Sequence, residues 1–426
     1  MGSFAPVLAR LKQARQTTAG YPRSFWFLFW GTLISSTGNS MVWPFITIYM
    51  RQRLGVALTT VGLLFTLNFG AAFVATSFTG PAVDRFGRKG AMLLSLAAST
   101  VYLLGLMRVS SLAGWAALVT LNGVFGPLYA IGSNAMVADM VPAERRTEAY
   151  ALLRMISNLG VAVGPSIGGF VTAISYGLAF SIAAAASACF ALLILFFVGE
   201  TIPHPEEGGG QVASGYGPVL RDRPFLALVA MLTLANMAYA LMTTLLPVYA
   251  KEGFGVAESR YGFIMATNAI MVVLFQYGVT RVTRRFRDLP VLAVGAVFYA
   301  LGVGSVAWGR SFAAFLVSMV VLTVGELIIS PTATGLAARL APMAMRGRYM
   351  SLLNLSWGLG YGIGPALGGL LSDRLAPRAA WYGGLAEGLL AAAGLALLAR
   401  RLRPGAACSG RAATVTCSPH HQNEEA

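Results

Sequence analysis

The chain has 426 residues, 56% hydrophobic and only 11% charged, too few charges to cover a soluble surface, for which about 25% is usual. Its net charge of +15 would suit a nucleic-acid partner only if the cations gathered on one face, so their placement decides. At about 20 apolar residues per crossing of a roughly 30 Å hydrocarbon core, this length holds about a dozen spans and little else.

In chain order, residues 1–24 form a basic arm with Arg10, Lys12, Arg15 and Arg23. They contain no separate apolar core ending in a small-residue cleavage site, so no leader is expected. Apolar runs follow at 25–50, 58–81, 90–109, 112–138, 148–172, 175–199, 225–250, 260–280, 289–309, 312–338, 349–371 and 379–399, which predict twelve transmembrane helices and an all-α membrane protein. Residues 200–224, with Pro203, Pro205 and Gly208 to Gly210, read as a linker between six-helix bundles at 25–199 and 225–400; residues 401–426 form a polar tail expected to be disordered. With the N-terminus in the cytoplasm, all but eight of the 31 Lys and Arg fall on the cytoplasmic side; the eight are Arg51, Arg53, Arg108, Lys251, Arg260, Arg310, Arg374 and Arg378. That positive-inside bias places both termini in the cytoplasm and accounts for the charge without nucleic acid. Cys189 lies in an apolar run, and the spacing of Cys408, Cys417, His420 and His421 in the tail fits no structural zinc site, so neither disulfides nor a metal or other cofactor is expected.

The chain also repeats itself at a constant offset of 200 residues. Leu54 to Ala57 returns as Phe254 to Ala257, Asn68 as Asn268, Arg85-Phe86 as Arg285-Phe286, and Gly164 to Gly169 as Gly364 to Gly369. The offset spans six helices, an even number, so the halves are parallel repeats. They predict a pseudo-two-fold axis along the membrane normal and a central cavity between the halves.

Between the second and third spans stand Gly80, Asp84, Arg85, Gly87, Arg88 and Lys89. This segment resembles the signature loop of the major facilitator superfamily, G-x-x-x-D-R-x-G-R-K. The resemblance implies a gating role, with Asp84 facing the first turn after Arg348, where free N–H groups favour an anion, and Asp139 pairing with Arg85 or Arg88. The second-half copy, Arg284 to Arg287, lacks the acid, so no matching latch is expected there. Gly160, Gly164, Pro165, Gly168 and Gly169 resemble the antiporter motif of drug:proton exporters in that superfamily, echoed by Gly360, Gly364, Pro365, Gly368 and Gly369. Small residues on one face also serve plain close packing of helices. One element departs from many proton-coupled exporters: Val119 stands where an arginine would precede Asn122-Gly123.

An ionisable side chain at mid-membrane costs about 2.5 to 3.5 kcal/mol on insertion, so each invites a functional reading. Glu326, in the tenth span, is the candidate carrier of a coupling proton; Glu387, in the twelfth, is expected to make a helix contact or snorkel. Spans 1, 4, 7 and 10 would line the cavity with Asn39, Trp43, Asn122, Tyr129, Asn236, Met237 and Tyr239. That aromatic, amide-bearing lining accepts amphiphiles by shape, and no mid-helix Lys or Arg is there to hold an anion. The resemblance thus implies a monomeric secondary transporter of the bacterial inner membrane, exchanging protons for drugs or other small amphiphiles. A carrier for one sugar, amino acid or siderophore is the alternative on this fold, and a non-transporting receptor or scaffold the alternative outside it. No catalytic triad or phosphate loop appears, so no enzyme is expected.

Overall fold

The computed structural model describes residues 20–201, 217–342 and 345–402; within these, the side chains at 80–82, 84, 86, 143 and 147 lie outside the description. Among the described residues there are twelve long helices: α1 (Arg23–Val42), α2 (Leu58–Phe86), α3 (Arg88–Arg108), α4 (Leu112–Met140), α5 (Ala143–Ile174), α6 (Tyr176–Phe197), α7 (Arg223–Thr244), α8 (Glu258–Thr283), α9 (Asp288–Ser305), α10 (Phe312–Leu340), α11 (Arg346–Arg374) and α12 (Ala379–Arg401). Ten of them are long and apolar enough to cross a bilayer. The other two, α1 and α11, are diluted by Ser35, Ser36, Asn39 and Ser40 and by the glycines from Gly358 to Gly369, which lowers their hydropathy without changing their place in the bundle.

Proline punctuates the two halves in the same way. A 3-10 turn at Trp43–Phe45 containing Pro44 divides α1 from its continuation Ile46–Leu54, and Pro247 opens Leu246–Phe254, the continuation of α7; a missing N–H and a fixed φ interrupt the helical ladder at both places. The two continuations end on Gly55 at φ 63° and Gly255 at φ 65°, the left-handed geometry that glycine reaches without a Cβ penalty. Ser111 and Ser311 cap α4 and α10 by accepting from the N–H groups of Gly114 and Ala314.

The segment read as a loop at 80–89 is almost entirely helical. α2 runs on to Phe86 and α3 begins at Arg88, so the turn is Gly87 alone, at φ 81° and ψ 157°, a region essentially reserved for glycine.

The packing repeats the duplication. α1 lies against α5 and α6, α2 against α4, and α3 against α4 and α6; six helices on, α7 lies against α11 and α12, α8 against α10, and α9 against α10 and α12. The halves meet through α2 with α11 and α5 with α8, a pairing that a two-fold axis maps onto itself.

The ion pair and the carboxylate hydrogen bonds across this boundary lie at the end of the bundle away from Arg23, Gly87 and Arg401. Arg51 Nε donates to both oxygens of Glu252 at 2.7 and 2.9 Å. Asp373 accepts from the Leu58 N–H at 3.3 Å and from the Thr59 N–H and hydroxyl at 2.7 Å. The Tyr176 hydroxyl donates to Glu258 at 2.7 Å, and Lys251 pairs with the same carboxylate. Nearer the terminal end, α2 exposes Val74 and Phe78.

Candidate functional site

Within the first half, α1, α3, α4 and α5 enclose a cavity of about 490 Å³, inside the size range of small-molecule sites. Four of the side chains the sequence assigns to a solute cavity, Asn39, Trp43, Asn122 and Tyr129, line it. Ser35, Ser95 and Ser99 add hydroxyls to the same wall, and Tyr129 is held by a 2.8 Å hydrogen bond with Thr32. None of its lining residues is ionisable at neutral pH.

Asn236 and Met237 are placed differently. Both are buried beneath α11, where Asn236 bonds to Ser356 at 3.1 Å and a Cβ on Gly364 would lie 2.7 Å from the Met237 carbonyl oxygen. They sit 200 positions after Ser36 and Thr37, which likewise lie against the glycines of the partner helix, although Ser36 also lines the first-half cavity.

Positions equivalent to the first-half cavity are filled in the second half. Tyr239 stands for Asn39, Tyr299 for Ser99, Tyr361 for Val161 and Glu326 for Gly126. Glu326 accepts hydrogen bonds from Asn268 Nδ2 at 2.7 Å and from the Tyr239 hydroxyl at 3.3 Å, and Asn268 also donates to Thr323 at 3.0 Å. Tyr239 contacts Tyr299 at 5.3 Å, Trp357 at 5.5 Å and Tyr361 at 6.5 Å between ring centroids. Tyr361 in turn meets Trp43 of the first half at 6.1 Å, so one chain of rings joins the cavity to the carboxylate. Glu387 packs in α12 with its Oε2 buried and without a hydrogen-bond partner among the described residues.

At the turn between α2 and α3, Arg88 Nε donates to Asp139 at 3.1 Å, while Arg85 is exposed. The side chains of Gly80 and Asp84 lie outside the described residues, so the predicted approach of Asp84 to α11 does too. Glu200, which sequence reasoning left in the linker, caps α3 by accepting from the N–H groups of Arg88 at 2.8 Å and Lys89 at 3.2 Å. A Cβ on Gly87 would lie 2.4 Å from the Glu200 carboxylate, so close approach as well as backbone angle calls for glycine. Lys89 Nζ reaches the Leu195 carbonyl at 2.8 Å.

The second half carries an ion pair of its own: Arg339 bonds to Asp288, and these residues lie 200 positions after Asp139 and Arg88 with the charges exchanged. It is the counterpart of that pair and not of Asp84, whose equivalent position is Arg284.

The glycine rows are close-packing seams. Hypothetical Cβ atoms on Gly160, Gly164 and Gly168 would meet Ser36, Ser40 and Met41 of α1 within 2.1 Å, and one on Gly169 would meet Glu258 of α8 at 2.8 Å. In the second half Gly360, Gly364 and Gly368 face α7 in the same way, and Gly369 faces Leu58 and Thr59 of α2. Pro165 and Pro365 lie inside α5 and α11, which run on through them.

The Major Facilitator Superfamily profile matches residues 28–365 and 250–414. The chain belongs to the major facilitator superfamily. Superfamily members similar to it include an MFS-type transporter, YttB, of Bacillus subtilis, 29% identical with 84% of this chain and 90% of the relative covered. A Na(+), Li(+), K(+)/H(+) antiporter of Planococcus maritimus is 28% identical, with 83% and 88% covered. Multidrug resistance protein MdtH of Aeromonas hydrophila is 26% identical, with 82% and 87% covered. The two six-helix sets and their two-fold contacts are therefore those of a superfamily transporter, a multi-pass membrane protein.

Proposed function

We propose that this transporter exports drugs or other small amphiphilic cations across the bacterial inner membrane in exchange for protons, working as a monomer with both termini in the cytoplasm. The observation that carries the reading is Glu326, a carboxylate set among Tyr239, Tyr299 and Tyr361 and steered by Asn268. Aromatic faces and a carboxylate both attract an organic cation. A proton and a cation compete for the one carboxylate, so loading either displaces the other, and exchange follows if the site faces one side of the membrane at a time.

The gating elements fit this cycle. With the end bearing Arg51 and Asp373 closed, the site is reached from the terminal, cytoplasmic side. Arg88 with Asp139 and Asp288 with Arg339 brace the terminal ends within each half, so that each half moves as a body. Asp84 is assigned to the latch that closes the cytoplasmic side when the outer end opens. Gly160, Gly164, Pro165, Gly168 and Gly169, with their second-half copies, keep α5 and α11 tight against α1 and α7.

A second reading is exchange of a monovalent metal ion for protons, favoured by the name of the Planococcus relative and by the oxygen of Thr323 beside Asn268 and Glu326. Proteoliposomes with an imposed pH gradient separate the two. Gradient-driven movement of a cationic dye, abolished by Glu326→Gln, is the expected result. Sodium-driven proton release without dye movement would replace this reading with the second, and neither flux would sink both.

A further inference from the structure

The two halves of this molecule offer a solute different chemistry at equivalent places, and the difference names the shape of the solute. In the first half, the space bounded by Asn39, Ser99, Asn122 and Val161 is open, uncharged and rich in hydroxyl and amide groups. In the second half, the same places carry Tyr239, Tyr299, Leu322 and Tyr361, whose bulk packs the space around Glu326. Duplication alone would have left two like cavities; instead, one side keeps room and the other keeps charge.

We infer that the solute has two ends: a protonated amine held at Glu326 and an uncharged aromatic body, bearing hydroxyl or amide groups, seated in the first-half cavity among Asn39, Ser99 and Asn122. The hydroxyl of Ser99 and the amide of Asn122, half-buried on this wall, disfavour a purely apolar guest, because hydrocarbon laid over them takes away their water contacts without replacing them. They accept a guest that replaces the lost water contacts. An apolar cation satisfies Glu326 but not this wall, whereas a neutral polar aromatic satisfies the wall but not Glu326. The contact of Trp43 with Tyr361 at 6.1 Å and of Tyr361 with Tyr239 at 6.5 Å supplies a continuous aromatic edge along which a flat body reaches from one half to the other. Because the two ends are held by different halves, the solute bridges them, and rocking one half against the other strains or releases it.

This inference rests on the cavity being the solute's path, but its test is binding without a gradient, so loss of export and loss of the two-ended pattern are separate results. The full chain in detergent is titrated calorimetrically with three probes: propranolol, an aromatic amino alcohol; its neutral glycol, in which a hydroxyl replaces the amine; and tetraphenylphosphonium, a cation with no hydrogen-bonding group. Propranolol is expected to bind at least about tenfold more tightly than either of the others, the gap that 1.4 kcal/mol provides. Glu326→Gln should bring propranolol down to the level of the glycol and leave the glycol unchanged. Ser99→Tyr and Asn122→Leu, which install the second-half residues, should weaken propranolol and the glycol about tenfold and spare tetraphenylphosphonium. If tetraphenylphosphonium binds as tightly as propranolol, or Glu326→Gln weakens the glycol equally, the two-ended solute is wrong. Equal weakening of all three probes by both cavity variants would also overturn it.

Discussion

Arg88 and Asp139 hold each other in a crevice where the Arg88 side chain is only 8% exposed, whereas the charge-exchanged pair of Arg339 and Asp288 is 60% and 32% exposed. Removing the acid from the first pair takes a charge-assisted hydrogen bond from a nearly buried guanidinium, and hydrogen bonds to charged groups are worth about 1.5–3 kcal/mol; an exposed pair is worth about 0–1 kcal/mol. Asp139→Asn is therefore expected to lower the thermal unfolding midpoint clearly, and Asp288→Asn to leave it within about a degree or two. Equal shifts in the two variants would mean that burial does not set the strength of these braces. At the adjacent turn, Gly87→Ala is expected to cost about 1–3 kcal/mol from its backbone angles alone, and more through the Glu200 carboxylate 2.4 Å from the new Cβ. Urea unfolding monitored by tryptophan fluorescence reads this, and in a Glu200→Ala background, compared with Glu200→Ala alone, Gly87→Ala should cost the backbone part only.

At the scale of helices, glycine positions sort by what lies opposite. A Cβ on Gly62 of α2 would come within 2.4 Å of the Ala366 backbone in α11, across the boundary between halves, while one on Gly70 would meet nothing within 4 Å. Gly62→Ala is thus expected to force the halves apart at the closed end, and Gly70→Ala to be neutral or stabilising by up to about 1 kcal/mol of helix propensity. Labelling of a cysteine at Thr59 by an impermeant thiol reagent, in a background with Cys189, Cys408 and Cys417 replaced, should rise in the first variant and not in the second. The twelve spans, the duplication and the small-residue seams were legible because apolar length and the glycine pattern are local and survive without side-chain geometry. Four cavity residues, Asn39, Trp43, Asn122 and Tyr129, were legible too, as polar or aromatic interruptions of apolar runs. Asn236 and Met237 were not, because which face of α7 meets α11 depends on packing; the repeat relation to Thr37, opposite Gly164, held the signal for Met237, while Ser36, the counterpart of Asn236, both faces Gly160 and lines the cavity and so gave none. Glu200 and the Asp288 with Arg339 pair escaped because no motif marks them, whereas Arg88, which pairs with Asp139 over the same 51 positions as Asp288 with Arg339, stands in the signature segment.

For the whole molecule, the closed end is fastened asymmetrically. Its carboxylates Glu252, Glu258 and Asp373 belong to the second half, and their partners Arg51, Tyr176 and the first turn of α2 belong to the first. The acids also serve as local anchors: Asp373 meets the free N–H groups of α2 much as a capping residue does, worth about 1 kcal/mol, and the exposed Arg51 pair adds at most about 1 kcal/mol. Together these come to about 2 kcal/mol, enough to move a two-state equilibrium up to about thirtyfold while leaving the seams at Gly62 and Gly169 in place. Asp373→Asn combined with Glu252→Gln is therefore expected to populate a form open at this end without unfolding either half. Paired spin labels on Arg53 and Gly253, replaced by cysteine in that same cysteine-free background, should show a second, longer distance in the double variant. High salt should lengthen the wild-type distance only slightly, because it screens the exposed Arg51 pair more than the cap on α2. An unchanged distance in the double variant would assign the closure to helix packing alone, and Gly62→Ala would then be the substitution that opens it.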